Sequence, residues 1–262
     1  MSKIKHKIAI ISGKGGVGKS LVTVNLAVAL AQSSKVGILD ADIHGPCIPK
    51  MLGVEEKGLS SGPPGVFPAI GPDGIKVVSM DFFLDDETPV IWRGPMKMSA
   101  IREFLTEMVW GELDYLLVDL PPGTGDEPLS IMQLIPEMDG VIIVTIPSEV
   151  SQKVVRKAVT FARELNIPII GIVENMSGFV CPKCGYETHI FNVGGGQRIA
   201  EEMKVPFLGR IALDPKICEN SDLGKPFITQ SADSPAARAF MDIVKGVEQS
   251  LNIKAKPMPR LS

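Results

Sequence analysis

One octapeptide, Gly13-Lys14-Gly15-Gly16-Val17-Gly18-Lys19-Ser20, limits what this chain can become more than any other stretch. It follows the apolar run Ile8-Ala9-Ile10-Ile11 and leads into a helix-like segment from Ser20 to Ala31. The pattern G-x-x-x-x-G-K-[ST] between a strand and a helix is a phosphate-binding loop, whose glycines let backbone N–H groups turn inward around phosphate oxygens. Lys19 supplies a compact positive charge for the β- and γ-phosphates, Ser20 a hydroxyl for Mg2+, and the following helix about half a positive charge at its N-terminus. A glycine-rich turn that binds nothing is the alternative, and the flanking strand and helix argue against it. Lys14 stands apart, because a second lysine in the loop has no task on a phosphate chain bound by its own subunit.

A loop of this kind needs a buried parallel strand behind it, and the rest of the chain supplies more of them. Val22, Val24, Leu26, Ala27 and Leu30 give the first helix an apolar side, and Val36-Gly37-Ile38-Leu39 reads as a strand ending at Asp40. Tyr115-Leu116-Leu117-Val118 reads as another, ending at Asp119. Helix then alternates with strand: 127–134, 140–146, 151–165 and 168–174, followed by a loop over 178–196, a helix over 197–203, a strand over 207–211, a short helix near 214–222 and a last helix over 234–251. Unbroken apolar strands between helices predict a doubly wound α/β fold, with a mainly parallel sheet covered by helices on both faces. The Gly/Pro-dense residues 53–75 read as a loop and an edge hairpin, Val66 to Ile70 opposite Ile75 to Ser79, with an interdomain linker as the alternative. A proline-led helix is expected over 95–110.

At 262 residues and 45% hydrophobic composition, the chain suits one α/β domain over 1–252, with a flexible tail over 253–262. A net charge of -3 and 5% aromatics argue against a general nucleic-acid binder. No stretch approaches the roughly 18 apolar residues of a membrane span, and the basic start passes straight into the phosphate loop instead of a leader. Nucleic acid and membrane are therefore not expected partners. The four cysteines, at 47, 181, 184 and 218, fit a reducing cytosol better than a disulfide framework.

Three further groups carry chemistry. Asp119, ending an apolar strand before Pro121-Pro122-Gly123-Thr124-Gly125-Asp126, is placed to hold Mg2+, and the loop after it to sense a γ-phosphate. Asp40-Ala41-Asp42 ends another strand. Asp42 is assigned to positioning the attacking water and Asp40 to the Mg2+ shell, with a surface pair capping the next segment as the alternative. Cys181-Pro182-Lys183-Cys184-Gly185 brings two thiolates together in a turn, which is half of a four-ligand metal or cluster site. A symmetric dimer supplies the missing pair. A third ligand from His189, a redox pair and a structural zinc knuckle remain open. Cys47 and Cys218 read as buried small apolar residues; His6 and His44 have no partner at ligand spacing. Met96, Met98 and Met108, with Ile91, Trp92 and Leu105, read as core or as a dimer face.

Taken in order, these motifs closely resemble the Mrp/ApbC family of iron-sulfur carrier ATPases, over about 7–247. The likeness rests on Lys14 to Ser20, Asp40-Ala41-Asp42-Ile43-His44-Gly45-Pro46, Trp92-Arg93-Gly94-Pro95-Met96, Asp119 to Asp126, Asn175-Met176-Ser177 and the cysteine pair. It implies a deviant Walker A loop whose Lys14 reaches across a homodimer to the partner's nucleotide. Lys14 thereby joins Lys19 and Asp42 as the residues assigned to hydrolysis, and the likeness also implies that Asn175 reads the adenine edge. The loop from Ala212 to Pro215, with Asp214, forms the other wall; Ala212 stands where many relatives have proline. A [4Fe-4S] cluster bridged by Cys181 and Cys184 of two subunits, handed to apo iron-sulfur proteins, follows from the same likeness. A MinD/ParA-type positioning or partitioning ATPase is the alternative, and an amidoligase or small-substrate kinase a third reading.

Overall fold

The computed structural model describes residues 1, 3–54, 59–83, 99, 101–102, 105–181 and 183–255. In chain order the elements are β1 (Ile4–Ser12), α1 (Lys19–Ala31), β2 (Val36–Asp40), α2 (Ile48–Leu52), β3 (Ser60–Gly62), β4 (Gly65–Phe67), β5 (Ala69–Ile70), β6 (Lys76–Ser79) and β7 (Leu113–Asp119). There follow α3 (Asp126–Leu134), β8 (Gly140–Thr145), α4 (Glu149–Glu164), β9 (Ile169–Glu174), β10 (Phe179–Val180) and β11 (Glu187–Thr188). The last are α5 (Gly195–Met203), β12 (Phe207–Arg210), α6 (Pro215–Asp222), α7 (Phe227–Gln230) and α8 (Pro235–Ala255).

Eight strands form the central sheet in the order β12-β9-β8-β1-β7-β2-β6-β5, all parallel except β5 at one edge. Because successive side chains alternate across a strand, Ile8 and Ile10 of β1 enter one core and Ala9 and Ile11 the other. The first core is closed by α1, α2, α6, α7 and α8, with Phe240 fully buried; the second by α3, α4 and α5 together with Ile101, Leu105 and Trp110. Each fully buried Leu, Ile or Phe stabilises the fold by about 1.5–3 kcal/mol, so covering both faces accounts for the unbroken apolar strands. No described helix is long and apolar enough to cross a membrane.

The parallel strands end in polar residues at one edge. Ser12, Asp40, Ser79, Asp119, Thr145 and Glu174 close β1, β2, β6, β7, β8 and β9, and all six are buried. A buried polar group is costly unless it is bonded, so this row marks where loops and ligands must meet the sheet.

Some expectations shift. The edge hairpin is split: Ala69 and Ile70 pair with Val77 and Lys76, but Val66 and Phe67 pair with Ser61 and Ser60 in a separate two-stranded sheet. Pro68, between them, has no N–H for a ladder. The helix expected over 95–110 is helical at the described residues 99, 101–102 and 105–107, whereas Met108 bridges to Val66. The expected loop over 178–196 contains the β10–β11 pair and the start of α5. α8 runs to Ala255, into the expected tail. The motif Trp92 to Met96, Met98 and most of the tail lie outside the described residues.

Candidate functional site

The phosphate loop runs from the end of β1 to the start of α1, and α1 opens at Lys19 because the residue before it turns left-handed. Gly18 has φ 79°, a conformation that costs any residue with a Cβ, and the loop needs it there. The Lys19 and Ser20 side chains are thereby carried to the end of β7. Lys19 Nζ donates to Asp119 Oδ2 at 2.5 Å, and Ser20 Oγ donates to the same oxygen at 2.5 Å. Thr23, one turn further along α1, donates through Oγ1 to Asp119 Oδ1 at 2.6 Å. Asp119 is fully buried, yet both of its oxygens are satisfied.

Lys19 is shared. Asp42 Oδ2 lies 3.6 Å from its Nζ. Burial pushes the Asp42 carboxyl above its usual range, against the pull of Lys19. Asp40 is engaged by other donors: Oδ2 accepts from Ser79 Oγ at 2.9 Å and from the Ile48 N–H at 3.3 Å, and Oδ1 from the Asp42 N–H at 3.3 Å. Its carboxyl is pushed up to about 7, first by burial and then by the charge of Asp119. Asp119 and Asp42 thus share the Lys19 ammonium, while Asp40 is satisfied by Ser79 and backbone donors.

Lys14 is half-buried in the loop, and among the described residues its ammonium has no ion-pair partner. Asn175, just past β9, donates from Nδ2 to the Val17 carbonyl of the phosphate loop at 2.9 Å. Asp214 caps α6, its Oδ1 accepting from the Lys216 N–H at 2.9 Å. A cavity of about 520 Å3 opens beside it, between residues 212–216 and residues 230–236, with Val180 at its rim.

Cys181 and Cys184 sit at the end of the β10–β11 hairpin. Cys181 N–H donates to the Tyr186 carbonyl and Gly185 N–H to the Cys181 carbonyl, each at 2.9 Å, which closes the turn around the two thiols. Hydrogen bonds from the backbone of Cys184 and then Lys183 hold the Cys181 thiol below its usual range. Val180, Tyr186, Ile190 and Phe191, near the pair in the chain, are exposed. Among the described residues no three His, Cys, Asp or Glu side chains gather to hold a metal, so His189 does not join the cysteines. Cys47 stands near the phosphate site, its thiol pushed up to about 11 by burial and then by Asp40; Cys218 is exposed, against the expectation that it is buried.

Sequence reasoning passed over Thr23 and Ser79 and gave Glu174 and Ser177 no role of their own. Thr23 was findable, because a hydroxyl three residues after Ser20 lies on the same face of α1. Ser79 carries no local signal, and a strand end at Glu174 followed by the Asn175-Met176-Ser177 motif does not reveal what the two side chains bond.

A phosphate loop with a second lysine, a carboxylate at the end of a neighbouring parallel strand and helices on both faces of the sheet define a P-loop NTPase of the deviant Walker A class. More narrowly, the family model for NUBPL iron-transfer P-loop NTPases matches residues 3–248, and the chain belongs to that family. An iron-sulfur cluster carrier protein of Methanocaldococcus jannaschii is 60% identical over 97% of this chain and 88% of its own length. A nucleotide-binding protein of Archaeoglobus fulgidus, solved in complex with ADP, is 43% identical with a TM-score of 0.79, covering 92% of this chain and 93% of that one. The cell division ATPase MinD of Pyrococcus furiosus shares the fold, with a TM-score of 0.71 at 23% identity over 93% of this chain and 98% of that one.

Proposed function

We propose that this chain is an ATP-hydrolysing carrier that binds a [4Fe-4S] cluster between two copies of itself and passes it to apo iron-sulfur proteins. The observation that carries this reading is the cysteine hairpin: two accessible thiols in a stretch of chain that also exposes apolar side chains, with no third ligand among the described residues. A four-ligand site is completed by a second copy across a two-fold axis. The carrier name of the 60% identical relative supports it.

In this reading Lys19 and the backbone of the loop hold the phosphates, and Asn175, with the loop that includes Asp214, faces the base. Ser20 and Asp119 would hold Mg2+, with Asp40 behind them; the ion would offset phosphate charge. Asp42 orients the water that attacks the γ-phosphorus, and burial raises its affinity for the proton that water gives up. Lys14 serves the nucleotide of the partner subunit. Zinc in the cysteine site is the alternative occupant.

The test is anaerobic reconstitution with iron and sulfide. About four irons per dimer with acid-labile sulfide are expected. A brown chromophore that survives both Cys181→Ala and Cys184→Ala would overturn the reading, and stoichiometric zinc in native protein would replace the cluster with a structural metal.

A further inference from the structure

The cysteine hairpin leaves the sheet edge at Ser177 and returns at Gly194, and both feet land on one carboxylate. Glu174, the last residue of β9, is fully buried. Its Oε1 accepts from the Ser177 hydroxyl at 2.5 Å on the outgoing foot and from the Gly194 N–H at 2.8 Å on the returning foot. Its Oε2 accepts from the Gly196 N–H at 2.5 Å, one of the free donors in the first turn of α5. The chain is shaped to permit this contact. Gly194 adopts φ 82°, and a Cβ on Gly196 would lie 3.1 Å from both Cβ and Oε2 of Glu174.

The next residue works in the other direction. Asn175 is held to β8 by its N–H, which donates to the Thr145 carbonyl at 2.8 Å, while its side chain grips the Val17 carbonyl of the phosphate loop. Residues 174 and 175 thus form a two-residue pivot with the phosphate loop on one side and both feet of the thiol-bearing hairpin on the other. A buried carboxylate is a costly helix cap, since its charge must be desolvated, whereas the common caps are neutral hydroxyls and amides. What the carboxylate adds is two strong acceptor oxygens that tie three chain segments at once.

We infer that Glu174 is a positioning residue that transmits nucleotide occupancy to the cysteine hairpin, re-aiming Cys181 and Cys184 when Asn175 moves. This rests on the function proposed above only in what the thiols carry; the coupling itself needs no cluster. A second set of bonds, from Ser177 N–H to the Ile211 carbonyl at 2.9 Å and from Leu213 N–H to the Gly178 carbonyl at 2.8 Å, keeps the outgoing foot in place when Glu174 is changed.

The experiment is amide hydrogen exchange on the full-length, iron-free protein, with and without Mg2+ and the ATP analogue AMPPNP, comparing wild type with Glu174→Gln. In wild type the analogue should protect the phosphate loop and change opening of residues 178–194 by about 5-fold or more, the usual lower range of site-to-site coupling. Glu174→Gln keeps the size of the side chain but points an amide donor at a backbone donor. It should retain protection of the phosphate loop and reduce the change in the hairpin below about 2-fold. A merely structural Glu174 would loosen the hairpin equally with and without nucleotide and leave the ratio unchanged. That result, or a wild-type hairpin indifferent to nucleotide, overturns the inference. Should Glu174→Gln fail to fold, Ser177→Ala, which deletes one donor, is read by the same ratio. Loss of iron binding in the reconstitution test would sink the carrier function and leave this coupling standing.

Discussion

Replacing Asp119 with asparagine should tighten the binding of Mg2+-free ADP. Lys19 is engaged, 2.5 Å from Asp119 Oδ2, so phosphates must draw the ammonium away from a buried carboxylate or share it. A hydrogen bond with one ionised partner contributes about 1.5–3 kcal/mol, and the buried ion pair adds charge attraction to it, so the amide, which keeps only the hydrogen bond, lowers the cost of releasing Lys19 by about 1 kcal/mol or more. Removing the repulsion between carboxylate and phosphate adds to this, for a total of about 1–2 kcal/mol, or about 5- to 30-fold in Kd. Ser20 and Thr23 should tolerate the change: the amide oxygen takes the Oδ2 place and still accepts from Lys19 and Ser20, while the amide nitrogen donates to the Thr23 hydroxyl, which can donate to the Lys19 carbonyl instead. On the proposed role of Asp119 in holding Mg2+, the enhancement of affinity by the ion should shrink by a similar factor. The assay is calorimetric titration of ADP into wild type and Asp119→Asn, in EDTA and in excess Mg2+. Equal or weaker Mg2+-free binding by the variant, or an undiminished Mg2+ effect, would refute the reasoning.

Other outcomes follow from the same site. Asp40 has a folded pKa of about 7 against an ordinary 3.8, so the folded state holds its proton more tightly and stability falls as pH rises from about 4 to 7, by a few kcal/mol. Denaturant midpoints at pH 5.5 and pH 8, without nucleotide or Mg2+, should therefore differ more in wild type than in Asp40→Asn; parallel behaviour would contradict the assignment. Gly18→Ala should cost about 1–3 kcal/mol, because φ is 79° and the new Cβ would collide with the Asn175 amide, and a thermal melt with an unchanged midpoint would count against this. Alkylation followed by mass spectrometry should label Cys181, whose thiol is lowered by backbone donors, well before Cys47, whose thiol lies at about 11; the reverse order would contradict the structure.

The phosphate loop was legible because its geometry is set by eight adjacent residues and the strand and helix that flank them. The sheet was legible for a related reason: strands covered on both faces must be apolar throughout, so the first polar letter, as at Asp40, Asp119 and Glu174, marks the edge where ligands meet it. Pairing within that edge was not legible. Lys19 reaches Asp119 across a hundred positions, Asp40 finds Ser79 through the β2–β6 register, and Pro68 divides a run that composition alone joins. Nor does anything local reveal that Glu174 receives a glycine twenty residues later, because the meeting depends on where the hairpin returns. The letters of the sequence announce a nucleotide loop and a pair of thiols. Only the packed chain places one carboxylate beneath both feet of the thiol hairpin, beside the residue that grips the loop, since that contact exists only once distant strands are in register.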